Sequence, residues 1–468
     1  MALLWGLLGL ATVVGVWTAG HALLNKRDPR AALGWIVVSL TAPLVGPLFY
    51  FFFGVNRIRT RAKALPGRRP SSSATGEAGS SSPTLPREFS ELARISDVVS
   101  GFDLVAGNRV EALHNGEEAY PAMLQEINAA SGHVFLSTYI FETNRTGRAF
   151  VDALGRAVDR GVEVRVIVDG LGRLYSRPTA NRLLAERGVK TATFLPPRLI
   201  PPAVHINLRN HRKILVVDGR VAFTGGMNIG DRHLAENLDN PDRVADVHFR
   251  LVGPVVGQLQ ELFLEDWAFV TGSEIESFPH DHEARGAAEC RTVPEGPDED
   301  LAKVLTVLIG AVSAARQSVS IVTPYFVPPR ELVGALQAAA LRGVEVTVIL
   351  PEQNNLPFVH WASRNMLWEV LQHGVRVFLQ PPPFVHSKLF VVDSHYVQVG
   401  SANIDPRSLR LNFELVVEVY DREFAGIIDR HVAAVRSRSR EVTLPEVDAR
   451  SLAVKILDGL SWLLSPYL

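Results

Sequence analysis

A chain of 468 residues, 47% of them apolar, is long enough for two to three domains with substantial cores. A net charge of −1 gives no overall basic field to draw nucleic acid, which leaves only a local patch for that role. The single cysteine, Cys290, excludes an internal disulfide framework and any cysteine-based metal cluster.

In chain order, residues 3–24 (LLWGLLGLATVVGVWTAGHALL) are almost wholly apolar. That is about the 20 residues a helix needs to cross a bilayer core. No Lys or Arg precedes the run and no small-residue cleavage site follows it, which separates it from a signal peptide. After NKRDPR, residues 31–55 form a second apolar run holding Pro43 and Pro47, which membrane helices tolerate better than soluble ones. Residues 1–56 therefore predict a two-helix membrane hairpin, and the chain a multi-pass protein. The stretch NRIRTRAKALPGRRP carries six Lys/Arg against three in NKRDPR, which places the large domain on the cytoplasmic face. Residues 57–90, basic and then Ser/Pro-rich, read as a flexible linker.

From about residue 91 the chain repeats itself. LSTYIFETNRTGRAFVDALGRAVDRGVEVRVIVD (136–169) aligns with IVTPYFVPPRELVGALQAAALRGVEVTVILP (321–351). Each copy runs from a strand ending at Tyr139 or Tyr325, through a helical pattern, into RGVEV and a buried strand. Strands alternating with helices predict an α/β fold with a mainly parallel sheet covered on both faces. The duplication predicts two domains, 91–285 and 286–468, joined near the polar, breaker-rich residues 280–298.

The repeat continues into RNHRKILVVD and FVHSKLFVVD. Counting from His211 and His386, lysine stands at plus two (Lys213, Lys388) and aspartate at plus seven (Asp218, Asp393). Glycine stands at plus fourteen (Gly225, Gly400) and asparagine at plus seventeen (Asn228, Asn403). Residues two apart on a strand share a face, so each histidine lies beside its lysine, a pairing suited to phosphate. Brought together about a pseudo-two-fold axis, the halves offer two of each group around one site. One neutral histidine attacks phosphorus while a protonated one supplies the leaving alcohol, both states being accessible near pH 6.5. Lysines and asparagines neutralise charge on the phosphoryl oxygens. Asp246 and Glu414, downstream in comparable places, are candidates to hold and orient the imidazoles. No metal or cofactor is called for, since no HExxH occurs and the other histidines lack zinc spacing.

The segments HRKILVVDG…TGGMNIGD and HSKLFVVD…VGSANIDPRSLRLNFE resemble the paired HKD motifs of the phospholipase D superfamily. With the apolar start ending FFFGVNR and the terminal SWLLSPYL, nearly the whole chain resembles the bacterial cardiolipin synthase family. The resemblance implies a tandem pair of phospholipase D-like domains behind a membrane hairpin, in the bacterial inner membrane. It implies phosphatidyl transfer between two phosphatidylglycerol molecules, giving cardiolipin and glycerol through a phosphohistidine. His211 becomes the nucleophile and His386 the acid–base group. The catalytic set is then His211, Lys213, Asp218, His386, Lys388 and Asp393, the two aspartates tying down the strand–turn rather than touching substrate. Asn228 and Asn403 bind phosphate with the lysines, and Arg407 and Arg410 are candidates for a second phosphate. GDRHL after GGMN departs from the expected Ala-Asp-aromatic run.

Two segments stay open. LPFVHWASRNMLWEVLQHG (356–374) reads either as a bilayer contact near the site mouth or as a core-facing helix. LAVKILDGLSWLLSPYL is expected to pack on the second domain. Competing functions are a superfamily hydrolase of phospholipid or other phosphodiester, a synthase using another phospholipid donor, and a non-catalytic lipid-binding protein. The apolar hairpin and near-neutral charge argue against a nuclease, and two intact HxKxxxxD sets argue against a non-catalytic protein.

Overall fold

The computed structural model describes residues 2–26, 29–54, 85–196, 208–296, 302–463 and 465, with short pieces at 198–199 and 202–203. Most of the expected linker, residues 57–84, lies outside the described residues, as do Arg27 and Asp28 of the turn between the apolar runs. Two compact units result: residues 1–64 with 197–205, and residues 65–196 with 206–468.

In the amino-terminal unit, α1 (Ala2–Asn25) is followed by α2 (Pro29–Thr41), the short α3 (Val45–Phe49) and a π turn at Tyr50–Gly54. The second apolar run is thus broken after Thr41, where Pro43 cannot donate the hydrogen bond a continuing helix needs. Among the described residues no helix is long and apolar enough to cross a membrane, so the two spanning helices expected from the sequence are not found as such. The packing of this unit is nonetheless turned outward. Ala11, Ala19, Ala22, Ala32 and Ser39 are buried, whereas Val13, Trp17, Leu24, Leu33 and Leu40 are exposed. His21 Nδ1 and the Tyr50 hydroxyl, 2.8 Å apart, tie the first helix to the last turn.

The larger unit opens with α4 (Arg87–Ser100). The first repeat comprises β1 (Val105–His114), α5 (Asn115–Ala129), β2 (His133–Thr138), α6 (Arg145–Asp159), β3 (Glu163–Asp169), α7 (Ala180–Glu186) and β4 (Lys190–Phe194). It closes with β5 (Ile214–Val217), β6 (Val221–Gly225), β7 (Val247–Val252) and α8 (Val255–Thr271). The second repeat runs β8 (Ala288–Glu295), α9 (Lys303–Ala314), β9 (Ser318–Val322), α10 (Arg330–Leu341), β10 (Glu345–Pro351), α11 (Pro357–Leu371) and β11 (Arg376–Gln380). It continues β12 (Leu389–Val392), β13 (Tyr396–Gly400), α12 (Pro406–Arg410), β14 (Glu414–Tyr420), α13 (Arg422–Arg438), β15 (Arg440–Val442), α14 (Leu444–Asp448) and α15 (Leu452–Leu463). The shared RGVEV has a local cause. Gly161 and Gly343 take positive φ just past α6 and α10, the left-handed stop that glycine makes cheaply, and Val164 and Val346 then enter the sheet.

These fifteen strands form one sheet in the order β15-β11-β10-β9-β12-β13-β14-β8-β1-β7-β6-β5-β2-β3-β4. Antiparallel pairing of β1 with β8 is the seam, and the strand order outward from it is the same on both sides up to β4 and β11. The sheet is mixed, not mostly parallel. Within this sheet, among the described residues, only β2–β3–β4 and β9–β10–β11 pair in parallel, where helical crossovers allow it. The HxK strands β5 and β12 instead turn straight back into β6 and β13, and such tight turns enforce antiparallel pairing.

Helices α5, α6 and α7 cover one face of the first repeat's strands, and α9, α10 and α11 do the same in the second. Helices α8 and α13 pack against strands outside those two clusters, on the other face. The helix α4, whose residues 91–100 the sequence assigns to the first domain, packs into the second repeat. Phe89, Leu92 and Val99 share its core, Ser96 Oγ donates to Glu418 at 2.9 Å, and Asp97 pairs with the fully buried Arg291 at 2.6 Å.

Candidate active site

Each HxK segment enters its strand from a backbone stitched to the other repeat. Asn210 bridges Phe413, and the His211 N–H donates to the Phe413 carbonyl at 2.9 Å. In the mirror relation, Phe384 and Val385 pair in parallel with Val244 and Ala245, and the His386 N–H donates to the Ala245 carbonyl at 2.8 Å. Glu414 follows Phe413 and Asp246 follows Ala245, so the stitches deliver each carboxylate to the opposite imidazole. His211 Nδ1 lies 3.0 Å from Glu414 Oε1, and His386 Nδ1 lies 3.0 Å from Asp246 Oδ2. Sequence order names both acids as partners but does not show that the pairing is crossed.

A carboxylate on Nδ1 fixes the ring and leaves Nε2 to react. Glu414 is itself held by Ser401 Oγ at 2.5 Å and Ser408 Oγ at 2.9 Å. Burial pushes the Glu414 carboxyl up, but His211, Lys213 and Ser401 outweigh it and hold it below the usual value. Burial lowers both imidazoles, and Lys213 and Lys388 lower them further. His386 stands well below the ordinary value, while Glu414 partly restores His211.

Lys213 and Lys388 are buried beside their histidines, donating to the carbonyls of His211 at 2.7 Å and His386 at 2.6 Å. Burial brings Lys213 down to about 7 and Lys388 to about 8, and Lys388 adds to the lowering of Lys213. Two ammonium groups so placed gain most when an anion enters between them. Asn228 Oδ1 accepts from the Ile140 N–H at 3.1 Å, which leaves the amide nitrogen to donate. Asn403 is equally buried, its Oδ1 without a hydrogen-bond partner among the described residues. Small cavities in the two repeats match in position: Lys213 and Asn228 line one, Lys388 and Asn403 the other.

Gly225 and Gly400 permit this geometry. Both adopt positive φ, and a Cβ on Gly400 would run into the Leu415 carbonyl. Asp218 and Asp393 do not join the histidines. They sit at the far ends of β5 and β12, about 16 Å along an extended strand from each lysine. Each takes positive φ in the hairpin turn. Asp218 accepts from the N–H groups of Ser131, Gly132 and His133, and Asp393 from those of Arg316, Gln317 and Ser318. These bonds lock each turn to the start of β2 or β9, the strand–turn place expected for the two aspartates.

Of the arginine candidates, Arg407 lies near enough to Tyr139 to act on its phenol, on the His211 side of the site. Arg410 is largely exposed and faces Glu331 at 3.8 Å, a surface pair. The departing GDRHL segment braces the first repeat from behind. Asp231 accepts from the Thr146 N–H, Arg232 pairs with Glu142, and His233 Nε2 accepts from the Asn228 N–H at 3.2 Å.

Two aromatic neighbours were not read as site residues. The Tyr139 ring lies 5.3 Å from His211, and Tyr325 lies 6.4 Å from His386. Their matched place at the end of β2 and β9 was the available signal. Burial drives the Tyr139 hydroxyl up to about 12, so it stays protonated beside the imidazole. Asp169 was missed as well. It is fully buried, pairs with Arg209 and accepts from the Asn210 N–H at 3.0 Å, which holds the segment leading into His211.

Comparison with known proteins bears on this geometry. The family model described as cardiolipin synthase, PLD-like domain, matches residues 123–267 and 308–435, more than half of the chain. The chain belongs to the cardiolipin synthase family of phospholipase D-like proteins. A second model, the phospholipase D–nuclease N-terminal segment, matches residues 13–54. The cardiolipin synthase of Oceanobacillus iheyensis is 30% identical over 99% of both chains. The major cardiolipin synthase ClsA of Bacillus subtilis is 31% identical over 95% of both. Among solved structures, the phosphatidylserine synthase of Haemophilus influenzae superposes with a TM-score of 0.60 over 77% of this chain and 95% of that one. At 14% identity it speaks to fold alone. Within the family frame, both matched segments carry one HxK set each, and the crossed acids fall inside them as well.

Proposed function

We propose that this chain is a phosphatidyltransferase that joins two phosphatidylglycerol molecules into cardiolipin and releases glycerol. The observation that carries the reading is the crossed arrangement: two imidazoles, each held at Nδ1 by the other repeat's carboxylate, flanked by two buried lysines. In the first step neutral His211 Nε2 attacks phosphorus of one phosphatidylglycerol. The bond from phosphorus to the glycerol headgroup oxygen breaks, and His386 gives that oxygen its proton. In the second step His386 takes a proton from a glycerol hydroxyl of another phosphatidylglycerol. That oxygen attacks phosphorus, the phosphorus–nitrogen bond breaks, and cardiolipin leaves.

Lys213, Lys388, Asn228 and Asn403 hold the phosphoryl oxygens, and Arg407, close enough to act on the Tyr139 phenol, meets a second phosphate. In the empty site both imidazoles favour the neutral form; an entering phosphodiester offsets the lysines and raises them, so the acid gains its proton with substrate. One feature favours exchanged roles, His386 attacking: it is the imidazole held lower. Peptide mapping of the trapped phosphohistidine decides between them.

Two phospholipase D-like domains related by a pseudo-two-fold axis at the β1–β8 seam describe the larger unit best. The exposed apolar side chains of the amino-terminal helices, Val13, Trp17, Leu24, Leu33 and Leu40 among them, anchor the chain to the bacterial inner membrane, with the catalytic unit on the cytoplasmic face. The test of function uses purified full-length protein in detergent with labelled phosphatidylglycerol and a chelator. Cardiolipin and free glycerol are expected in equal amounts. Phosphatidic acid as the sole product would replace the transferase reading with a hydrolase.

A further inference from the structure

The last helix, α15, is turned inside out. Amphipathic helices ordinarily bury their aliphatic stripe and expose their charges. Here Asp458, mid-helix, is fully buried and takes Arg364 of α11 at 2.5 Å and Arg450 at 2.5 Å. Ser461 is buried on the same side. Leu452, Ile456, Leu460 and Leu463 recur at helical spacing on the opposite side and are exposed, Leu460 to 58%. The polar face is thus the one fixed to the protein, by a doubly paired carboxylate, and the apolar face is the one offered outward.

Helix α11, packed against α15, adds exposed Phe358 and Trp368. The start of α11 also reaches the active site. Asn355, three residues before Phe358, accepts from the Tyr325 hydroxyl at 2.8 Å, and the Tyr325 ring flanks His386. An aliphatic stripe joined to interfacial aromatics, with Lys455 exposed beside it, matches a helix lying in the headgroup plane. We infer that the exposed faces of α15 and α11 form a docking surface for the phospholipid bilayer. It seats the histidine pair over the membrane, so that headgroups reach it while acyl chains stay in the bilayer. The inference rests on the reading of the site as one for phospholipid transfer.

Cys290 is buried, so a single introduced thiol can be labelled in the full-length protein. An environment-sensitive dye at Leu460→Cys is compared with one at Ser437→Cys, an exposed position of α13 on the other face of the sheet. On adding phosphatidylcholine vesicles containing phosphatidylglycerol, emission from position 460 should shift to the blue and be quenched by nitroxide-bearing acyl chains. Emission from position 437 should do neither. Sedimentation of the protein with vesicles without a response at position 460 would overturn the docking surface. So would a blue shift that grows with protein concentration in the absence of vesicles, the mark of a second copy on this face. Phosphatidyl transfer by the same preparations in detergent keeps the two readings apart: transfer with no response at position 460 defeats docking alone, and a response without transfer defeats the reading of the site alone.

Discussion

Glu414 shows how one side chain sets the chemistry of another across the seam. It raises His211 against burial and the two lysines. Glu414→Gln removes that support, so His211 loses its proton at lower pH than before. With neutral His211 as nucleophile, the acidic limb of the pH–rate profile should move to lower pH. Maximal transfer should fall roughly a hundredfold or more, because the ring is no longer held as donor to an anion. An acidic limb that stays in place while the basic limb moves to lower pH would mean that His211 works protonated. Deeper in the first repeat, His248 is buried and held at about 4. The unfolded chain takes up a proton near 6.5 that the folded one refuses, so this stability is whole above pH 6.5 and declines as pH falls toward 4. The slope is up to about 1.4 kcal/mol per pH unit. His248→Phe should therefore lose less stability than the wild type between pH 7 and pH 5 in urea unfolding. Equal losses would place the acid sensitivity elsewhere.

The recurring element is the HxK hairpin, in which one short stretch does two jobs from its two ends. At one end the lysine faces the site; at the other the aspartate occupies a left-handed turn and gathers three backbone N–H groups. Partial burial raises Asp218, but those donors hold it below the usual carboxylate value. Asp218→Asn should lower folding stability by about 1.5–3 kcal/mol, the worth of hydrogen bonds to a charged acceptor. Transfer per folded molecule should change by less than about tenfold, whereas His211→Ala should remain folded and lose at least about a thousandfold. If Asp218→Asn were fully stable yet inactive, the aspartate would belong to the chemistry. Beside this hairpin Gly400 leaves no room for a side chain. Gly400→Ala should cost about 2–4 kcal/mol through backbone strain and a clash with β14, read as a lowered urea midpoint.

Across the whole molecule, each half is incomplete in a specific way: it holds a histidine and the other half's carboxylate. Mixing His211→Ala with His386→Ala should restore no transfer, since both histidines of a working site come from one chain. Recovery of activity would show sites shared between two chains. Much of this was legible in the sequence, because His211, Lys213, Asn228 and their counterparts recur in one register. Register survives duplication, and strand alternation turns it into shared faces. Pairing direction was not legible, since a buried run such as ILVV reads alike in parallel and antiparallel sheets. Nor was the place of α4, because an amphipathic helix in the sequence does not say which core receives its apolar side. The sequence by itself determined the paired His, Lys and Asn of the candidate site, their doubling and the apolar start. Only the tertiary structure decided that Asp246 serves His386, that Glu414 serves His211, and that α15 presents its leucines outward. Those facts depend on contacts between segments 140 to 203 residues apart, or on which side of a helix is pinned, and local pattern carries neither.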